Sequence, residues 1–95
     1  MDELLFSFTA MIERESERGG AYVRCPFDLR EETGRGRAKV EAHFDGIPYR
    51  GSIVNMGLQH PDGRTCYLIG VRKDIQATLG KGPGDMVSVT VKILL

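Results

Sequence analysis

The sequence predicts a mainly β fold: a small closed or double-split β-barrel of about six strands with two short helices. Three observations predict it. Apolar and polar residues alternate along several segments, two short helical segments end at glycines, and the order strand, helix, glycine turn, strand occurs twice. Closure into a barrel is favoured because strands that bury one face only would leave exposed edges in an open sheet.

The internal repeat covers most of the chain. Its first copy spans residues 22–34 and its second spans residues 67–80, and each continues through a basic glycine turn into an alternating strand. Two similar strand–helix–strand units indicate two halves related by a pseudo-two-fold axis. Since no linker rich in Pro, Gly or Ser divides the chain, residues 1–95 are expected to form one domain.

Strands are predicted wherever apolar residues alternate with polar ones. The Asp45-Gly46 pair is typical of a two-residue hairpin, and residues 57–63, which contain His-Pro-Asp-Gly, are predicted to form the longest loop. The predicted strands are Leu4–Glu15, Tyr22–Cys25, Arg37–Phe44, Ile47–Asn55, Arg64–Ile69 and a last strand from about Val87 to the C-terminus.

Two short helices are predicted between these strands. Asp28 is a suitable N-cap for a helix that ends at about Thr33, and Gly34 suits a left-handed stop. The second helix spans about Arg72–Leu79. Its apolar residues follow the i, i+4 spacing that places them on one face toward the core.

Composition and charge disfavour several classes of protein. Thirteen basic residues balance thirteen acidic ones, which disfavours nucleic-acid binding because that class usually has an excess of cations. Neither a membrane-spanning run nor a signal-peptide pattern is present, so a cytoplasmic protein without a membrane partner is expected. Cys25 and Cys66 form no CxxC pair and are expected to be reduced and buried, although a disulfide stays open at this point.

The sequence contains no catalytic motif, and it predicts neither a metal site nor a cofactor. The two histidines lack the neighbouring Cys, His or acidic ligands that a zinc site needs, and no serine or cysteine occurs in a nucleophile elbow. His43 with Glu41 or Asp45 is the one local candidate for a titratable pair. Whether the protein is an enzyme is left open, with the weight against it.

Candidate ligand-binding residues come from the basic glycine turns. Arg35, Arg37 and Lys81 lie among glycines, but both turns follow a helix, whose C-terminal end disfavours anions. The favoured interpretation is therefore a helix stop followed by a tight turn. The alternative is that a pseudo-two-fold axis makes the three cations equivalent, so that they flank one anion site.

A second candidate is the segment Tyr49-Arg50-Gly51-Ser52. A glycine inside a strand marks either a bend or a close approach by another group. The favoured interpretation is a barrel-corner bend at Gly51. The alternative is that a ligand or partner chain lies against Gly51, with Tyr49 and Arg50 on either side.

Six groups of residues along the chain carry a resemblance to a known family. They are Phe8-Thr9-Ala10 with Ile12-Glu13, Val23 with Pro26-Phe27-Asp28, Val40-Glu41-Ala42 with Asp45-Gly46, Tyr49-Arg50-Gly51-Ser52 with Met56-Gly57, Val71-Arg72-Lys73 with Leu79-Gly80, and Gly84-Asp85-Met86-Val87. With these residues the chain resembles the family known as domain of unknown function 1905. The resemblance implies a small double-split or swapped-hairpin β-barrel, with a last third similar to AbrB-like transition regulators. It transfers no catalytic residues because none is established for the family. The aromatic position before the first proline motif, tryptophan-like in the family, is Tyr22 here.

Three functional hypotheses follow. The first is a non-enzymatic module that binds a small anionic ligand or a protein partner, as a monomer or homodimer, through the strand at Tyr49–Ser52 and the basic turns. The second is a nucleic-acid-binding barrel of the AbrB-like type, which the neutral net charge disfavours. The third is an unrecognised enzyme. The cations of the second hypothesis are Arg35, Arg37, Arg72, Lys73 and Lys81.

Overall fold

Strands make up most of the chain, as predicted. The structure, a computed structural model, describes residues 3–14 and 20–94. Within these ranges the elements are β1 (Glu3–Met11), β2 (Glu13–Arg14), β3 (Ala21–Cys25), α1 (Leu29–Thr33), β4 (Ala38–Phe44), β5 (Ile47–Gln59), β6 (Thr65–Gly70), α2 (Lys73–Leu79) and β7 (Met86–Leu94).

The strands form one curled antiparallel sheet. Its order is β1-β7-β4-β5-β6-β3-β2. The two edge strands, β1 and β2, are consecutive segments of the chain interrupted at Ile12, so the sheet curls back toward its own start. This arrangement confirms the predicted mainly β, barrel-like fold.

Equivalent strands of the two repeat units pair with each other in the sheet. The first unit is β3-α1-β4 and the second is β6-α2-β7. In the sheet β3 pairs with β6 and β4 pairs with β7, both antiparallel. This pairing is what two halves related by a pseudo-two-fold axis require.

The core lies on the inner face of the curled sheet. Along β4 and β7 every second side chain is buried, and Phe44 is the largest side chain with no exposed surface. Each fully buried aliphatic or aromatic side chain contributes about 1.5–3 kcal/mol relative to an exposed one. The alternation in these two strands therefore accounts for much of the driving force for folding.

Both cysteines are buried and free. Cys25 pairs with Tyr67 across the β3–β6 ladder. Because side chains alternate between faces, Cys66, one residue before Tyr67, points to the other face of the sheet from Cys25. Burial raises the pKa of the Cys25 thiol well above its ordinary value.

The predicted helix ends are confirmed. Asp28 Oδ1 accepts a hydrogen bond from the Glu31 N–H at 3.1 Å, and Gly34 adopts the left-handed conformation with φ of 75°. Gly80 ends α2 in the same way with φ of 68°. None of the helices in the described ranges is long and apolar enough to cross a membrane.

Two predicted boundaries are wrong. The first strand breaks at Ile12, because its backbone leaves the ladder to bond the turn before β7: Ile12 N donates to Asp85 O at 2.9 Å and Ile12 O accepts from Gly84 N at 2.8 Å. The predicted end of that strand at Glu15 and the C-terminal Leu95 lie outside the described residues.

The second wrong boundary is the long loop at residues 57–63. Strand β5 continues to Gln59, so the turn begins at about His60. An irregular register between Asn55 and Gln59 permits this continuation. It is built around a left-handed Gly57, whose N–H donates to the Asn55 side chain at 2.9 Å.

Candidate functional site

The candidate site lies on the side of the sheet opposite to the core. Along β4, Val40 and Ala42 are buried, whereas Lys39 and His43 are exposed and Glu41 is half-buried. We call the solvent side of β1, β7, β4 and β5 the outer face. Because side chains alternate along a strand, it collects the residues between those of the core.

A groove of about 430 Å³ occupies one end of the outer face. Its residues come from neighbouring strands, since Lys39 of β4 pairs with Ser52 of β5 and with Leu94 of β7. We call this the basic groove. It is lined by Lys39, Val40, Arg50, Gly51, Ser52 and Leu94.

The cations of the basic groove are accessible to a ligand. The Arg50 side chain is 85% exposed, and its Nη2 lies 3.5 Å from Glu41 Oε2. An ion pair this long and this exposed contributes little to stability. Lys39 is also exposed and makes no salt bridge with another described residue. Both cations are therefore available to an anion.

A second groove of about 370 Å³ adjoins the first along β4 and β7. His43 and Glu41 both line it, which confirms that they share a face. Asp45, the other suggested partner of His43, instead bonds Lys81 Nζ and the Ser88 N–H. Of the two suggested partners, Glu41 is therefore the one that shares a groove with His43, on an open face of the sheet. The second groove is lined by Leu5, Glu41, His43, Thr90, Val91 and Lys92.

Gly51 is approached closely by the protein's own side chain. A Cβ built at Gly51 would overlap the Tyr49 hydroxyl and ring carbons. Tyr49 is on the inner face, where its ring centroid lies 5.7 Å from that of Phe44 and the Arg72 guanidinium lies 5.5 Å above it. Tyr49 and Arg50 therefore point to opposite faces. Arg50, Gly51 and Ser52 of that segment line the basic groove, and Tyr49 does not.

The three cations of the glycine turns are not brought together. Arg37 directly precedes β4, at the end of the sheet that holds the basic groove. Lys81 lies at the other end of β4, where it donates to Asp45 and to Met86 O. Since β4 and β7 are antiparallel, the turns that precede them lie roughly 20 Å apart, six strand steps. The suggested single anion site between Arg35, Arg37 and Lys81 is not formed.

The cations of the nucleic-acid hypothesis are divided in the same way. Arg35 and Arg37 lie at one end of β4, and Lys81 lies at the other. Arg72 stacks over Tyr49 and pairs with Asp74, with 2.9 Å between Nη2 and Oδ2. The five residues give no continuous cationic face.

No group of three or more His, Cys, Asp or Glu side chains suited to a metal ion occurs in the described ranges. Several charged groups in the described part of the chain instead form ion pairs. One such pair, Arg24 with Glu13 at 2.7 Å, lies between β3 and β2, away from both grooves.

Sequence reasoning missed Lys39, Val40 and Leu94 as groove residues. A signal for Lys39 was present, because a two-residue turn at Asp45-Gly46 fixes the register that pairs it with Ser52. No comparable signal existed for Leu94. Its position next to Lys39 depends on the long-range pairing of β4 with β7.

Comparison with known proteins identifies the family to which the chain belongs and nothing more specific. None of the curated proteins matches the chain. A family model matches residues 8–91, which is nearly the whole chain. The chain therefore belongs to the family described as domain of unknown function DUF1905.

Proposed function

We propose that the protein is a non-enzymatic binding module that takes a small anionic ligand with an apolar part in the basic groove. The observation that carries this proposal is the meeting of two accessible cations, Lys39 and Arg50, on a groove of about 430 Å³. A chain of zero net charge thus has a local concentration of positive charge. Ligand pockets typically combine a few polar groups with apolar walls.

The groove's lining suggests the chemistry of the ligand. Arg50 offers a planar fork suited to a carboxylate or phosphate, and Lys39 offers a point charge. Ser52 adds a hydroxyl, while Leu94 contributes apolar surface. A small anion with an aromatic or aliphatic body matches this set.

Binding rather than catalysis is proposed because of the groups that line the groove. Among the described lining residues, Ser52 has the single hydroxyl, and neither a histidine nor a carboxylate is present to act as its base. Two buried, free cysteines also suit a reducing compartment such as the cytoplasm, which we propose as the location.

The test is a calorimetric titration with benzoate, compared with benzamide as a neutral ligand of the same shape. We expect benzoate to bind and benzamide not to bind. Each exposed ion pair contributes up to about 1 kcal/mol. The double variant Lys39→Ala/Arg50→Ala should therefore weaken benzoate binding by roughly tenfold, which corresponds to about 1.4 kcal/mol.

Lys73→Ala is the matched control. Lys73 is an exposed cation at the start of α2 and lines neither groove, so its removal changes the net charge without changing the site. Benzoate affinity should be unchanged in this variant. Equal affinities for benzoate and benzamide, or equal losses in the Lys73 variant and the groove variant, would refute the proposal.

A further inference from the structure

A second surface, the free edge of β1, is distinct from the basic groove. In the described part of the chain β1 pairs on one side only, with β7. Its continuation β2 pairs with β3 through just Glu13 and Arg14. No ladder joins β1 to β3 in the described residues, and we call this boundary in the sheet the seam.

The seam is covered on the inner side by an aromatic ring rather than by a strand. Phe27 stacks on Phe6 with 3.9 Å between the ring centroids, and it meets Phe8 edge-on at 6.3 Å. These rings protect the apolar side chains of β1. The rings offer no hydrogen-bond donors or acceptors to the backbone N–H and C=O groups along the outward edge of β1. An extended chain is able to pair with these groups.

The β1 edge lacks the features that usually prevent pairing between molecules. Residues 4–12 contain no charged residue, proline or glycine. Strand β3, on the other side of the seam, does have charges and a proline, since it bears the Arg24–Glu13 ion pair and is followed by Pro26. Edge strands are normally protected by charges, prolines or bulges. After Glu3, the charged first residue of β1, residues 4–11 therefore form an unprotected edge that is open to pairing with another strand.

We propose that this strand is β1 of a second copy of the chain, paired antiparallel about a two-fold axis at Ser7. This register places Phe6 opposite Phe8 of the second copy on the inner face. On the outer face it places Leu5, which is 74% exposed, opposite Thr9 of the second copy. From Leu4 to Ala10, apolar residues meet apolar or uncharged ones at every pair, and Glu3 faces Met11, so like charges never face each other. The resulting dimer joins two curled sheets through their β1 strands.

The first test is analytical ultracentrifugation of the wild type, Ser7→Lys and Thr90→Lys. Ser7 and Thr90 are paired neighbours, both exposed on the outer face, but only Ser7 is on the edge. At about 100 µM, well above the micromolar dissociation constants of weak specific interfaces, the wild type and Thr90→Lys should be dimers. Ser7→Lys places two ammonium groups face to face and should be a monomer near 10.5 kDa.

The second test examines the register by oxidation with diamide. Ser7→Cys places two thiols opposite each other at the axis and should form a crosslinked dimer. Thr9→Cys, on the same strand and face, should not, since the two thiols would lie roughly 13 Å apart along the strands. Matching far-ultraviolet circular dichroism spectra verify that each variant is folded.

The proposal is overturned by a monomeric wild type at this concentration. It is also overturned by a Ser7→Lys variant that stays dimeric or by equal crosslinking at both cysteine positions. These outcomes are independent of benzoate binding, because no residue of β1 lines the basic groove.

Discussion

The two faces of the same strands differ in how tightly their side chains are constrained. On the inner face, Val40, Phe44 and Val89 are buried in one continuous core, and their size and apolar character are set by packing. On the outer face, Lys39, Arg50 and their neighbours surround open grooves. Packing constrains these outer side chains far less.

Tyr49 and Arg50 show this difference between adjacent residues. Tyr49 packs on Phe44 on the inner face, and Arg50 extends 85% exposed on the outer face. The Tyr49 ring, and not the Arg50 side chain, is therefore the reason why β5 contains a glycine at position 51. Although the two residues are adjacent in the sequence, the pleat of the strand places their side chains on opposite faces.

The largest expected effect comes from filling the space beneath the Tyr49 ring. Gly51→Ala forces a Cβ into the Tyr49 hydroxyl and ring, which Phe44 and Arg72 hold in place. Overpacking typically destabilises by about 1–3 kcal/mol, and the stiffer unfolded chain offsets roughly 0.4–1 kcal/mol of this. We expect urea denaturation to show a net loss of about 1–2 kcal/mol.

Two companion variants show whether the inner face is responsible. Ser52→Ala, the next residue but on the outer face, should change the free energy of unfolding by no more than about 0.5 kcal/mol. In a Tyr49→Ala background, Gly51→Ala should no longer destabilise, because the overlapping ring is gone. A similar loss in both backgrounds would show that the glycine is required for another reason.

A smaller effect is expected at Asp45, which joins the β4–β5 hairpin to the start of β7. A hydrogen bond from Lys81, and then the Ser88 N–H, lower the pKa of the Asp45 carboxyl. A carboxyl whose pKa is lower in the folded state stabilises the fold above its unfolded pKa, about 3.9. That stabilisation is lost as the pH falls through the lower, folded-state pKa.

Thermal unfolding of Asp45→Asn across pH 2–7 tests this assignment. Asparagine tolerates the left-handed backbone of Asp45, whose φ is 50°, so the substitution changes mainly the charge. The variant should be less stable than the wild type at pH 7, and the two curves should converge as the pH falls below about 3.9. In a Lys81→Met background the effect of Asp45→Asn should be smaller, whereas parallel curves at every pH would contradict the ion pair.

Much of the fold was predictable because local rules determine it. The alternation of Val87, Val89, Val91 and Ile93, the Asp28 cap and the Asp45-Gly46 turn each specify a neighbouring structure, and all three are confirmed. The break at Ile12 was not predictable, since it depends on hydrogen bonds to Gly84 and Asp85 far along the chain.

The candidate site was predictable only in part. Arg50, Gly51 and Ser52 were identified from one segment, and the hairpin register would have added Lys39. Arg35, Arg37 and Lys81 were grouped by their similar positions in the repeat. The antiparallel pairing of β4 and β7 separates the turns that contain them, and nothing local in the sequence encodes that pairing.

The most direct test of the account is an amide chemical-shift map of the ¹⁵N-labelled protein titrated with benzoate. We predict that the largest shifts fall on Lys39, Arg50, Ser52 and Leu94 and that benzamide leaves them unchanged. Residues at the Lys81 end of β4 should not shift. Shifts centred on Lys81 and Arg72, or scattered over the surface without a maximum at the basic groove, would contradict binding at the outer face.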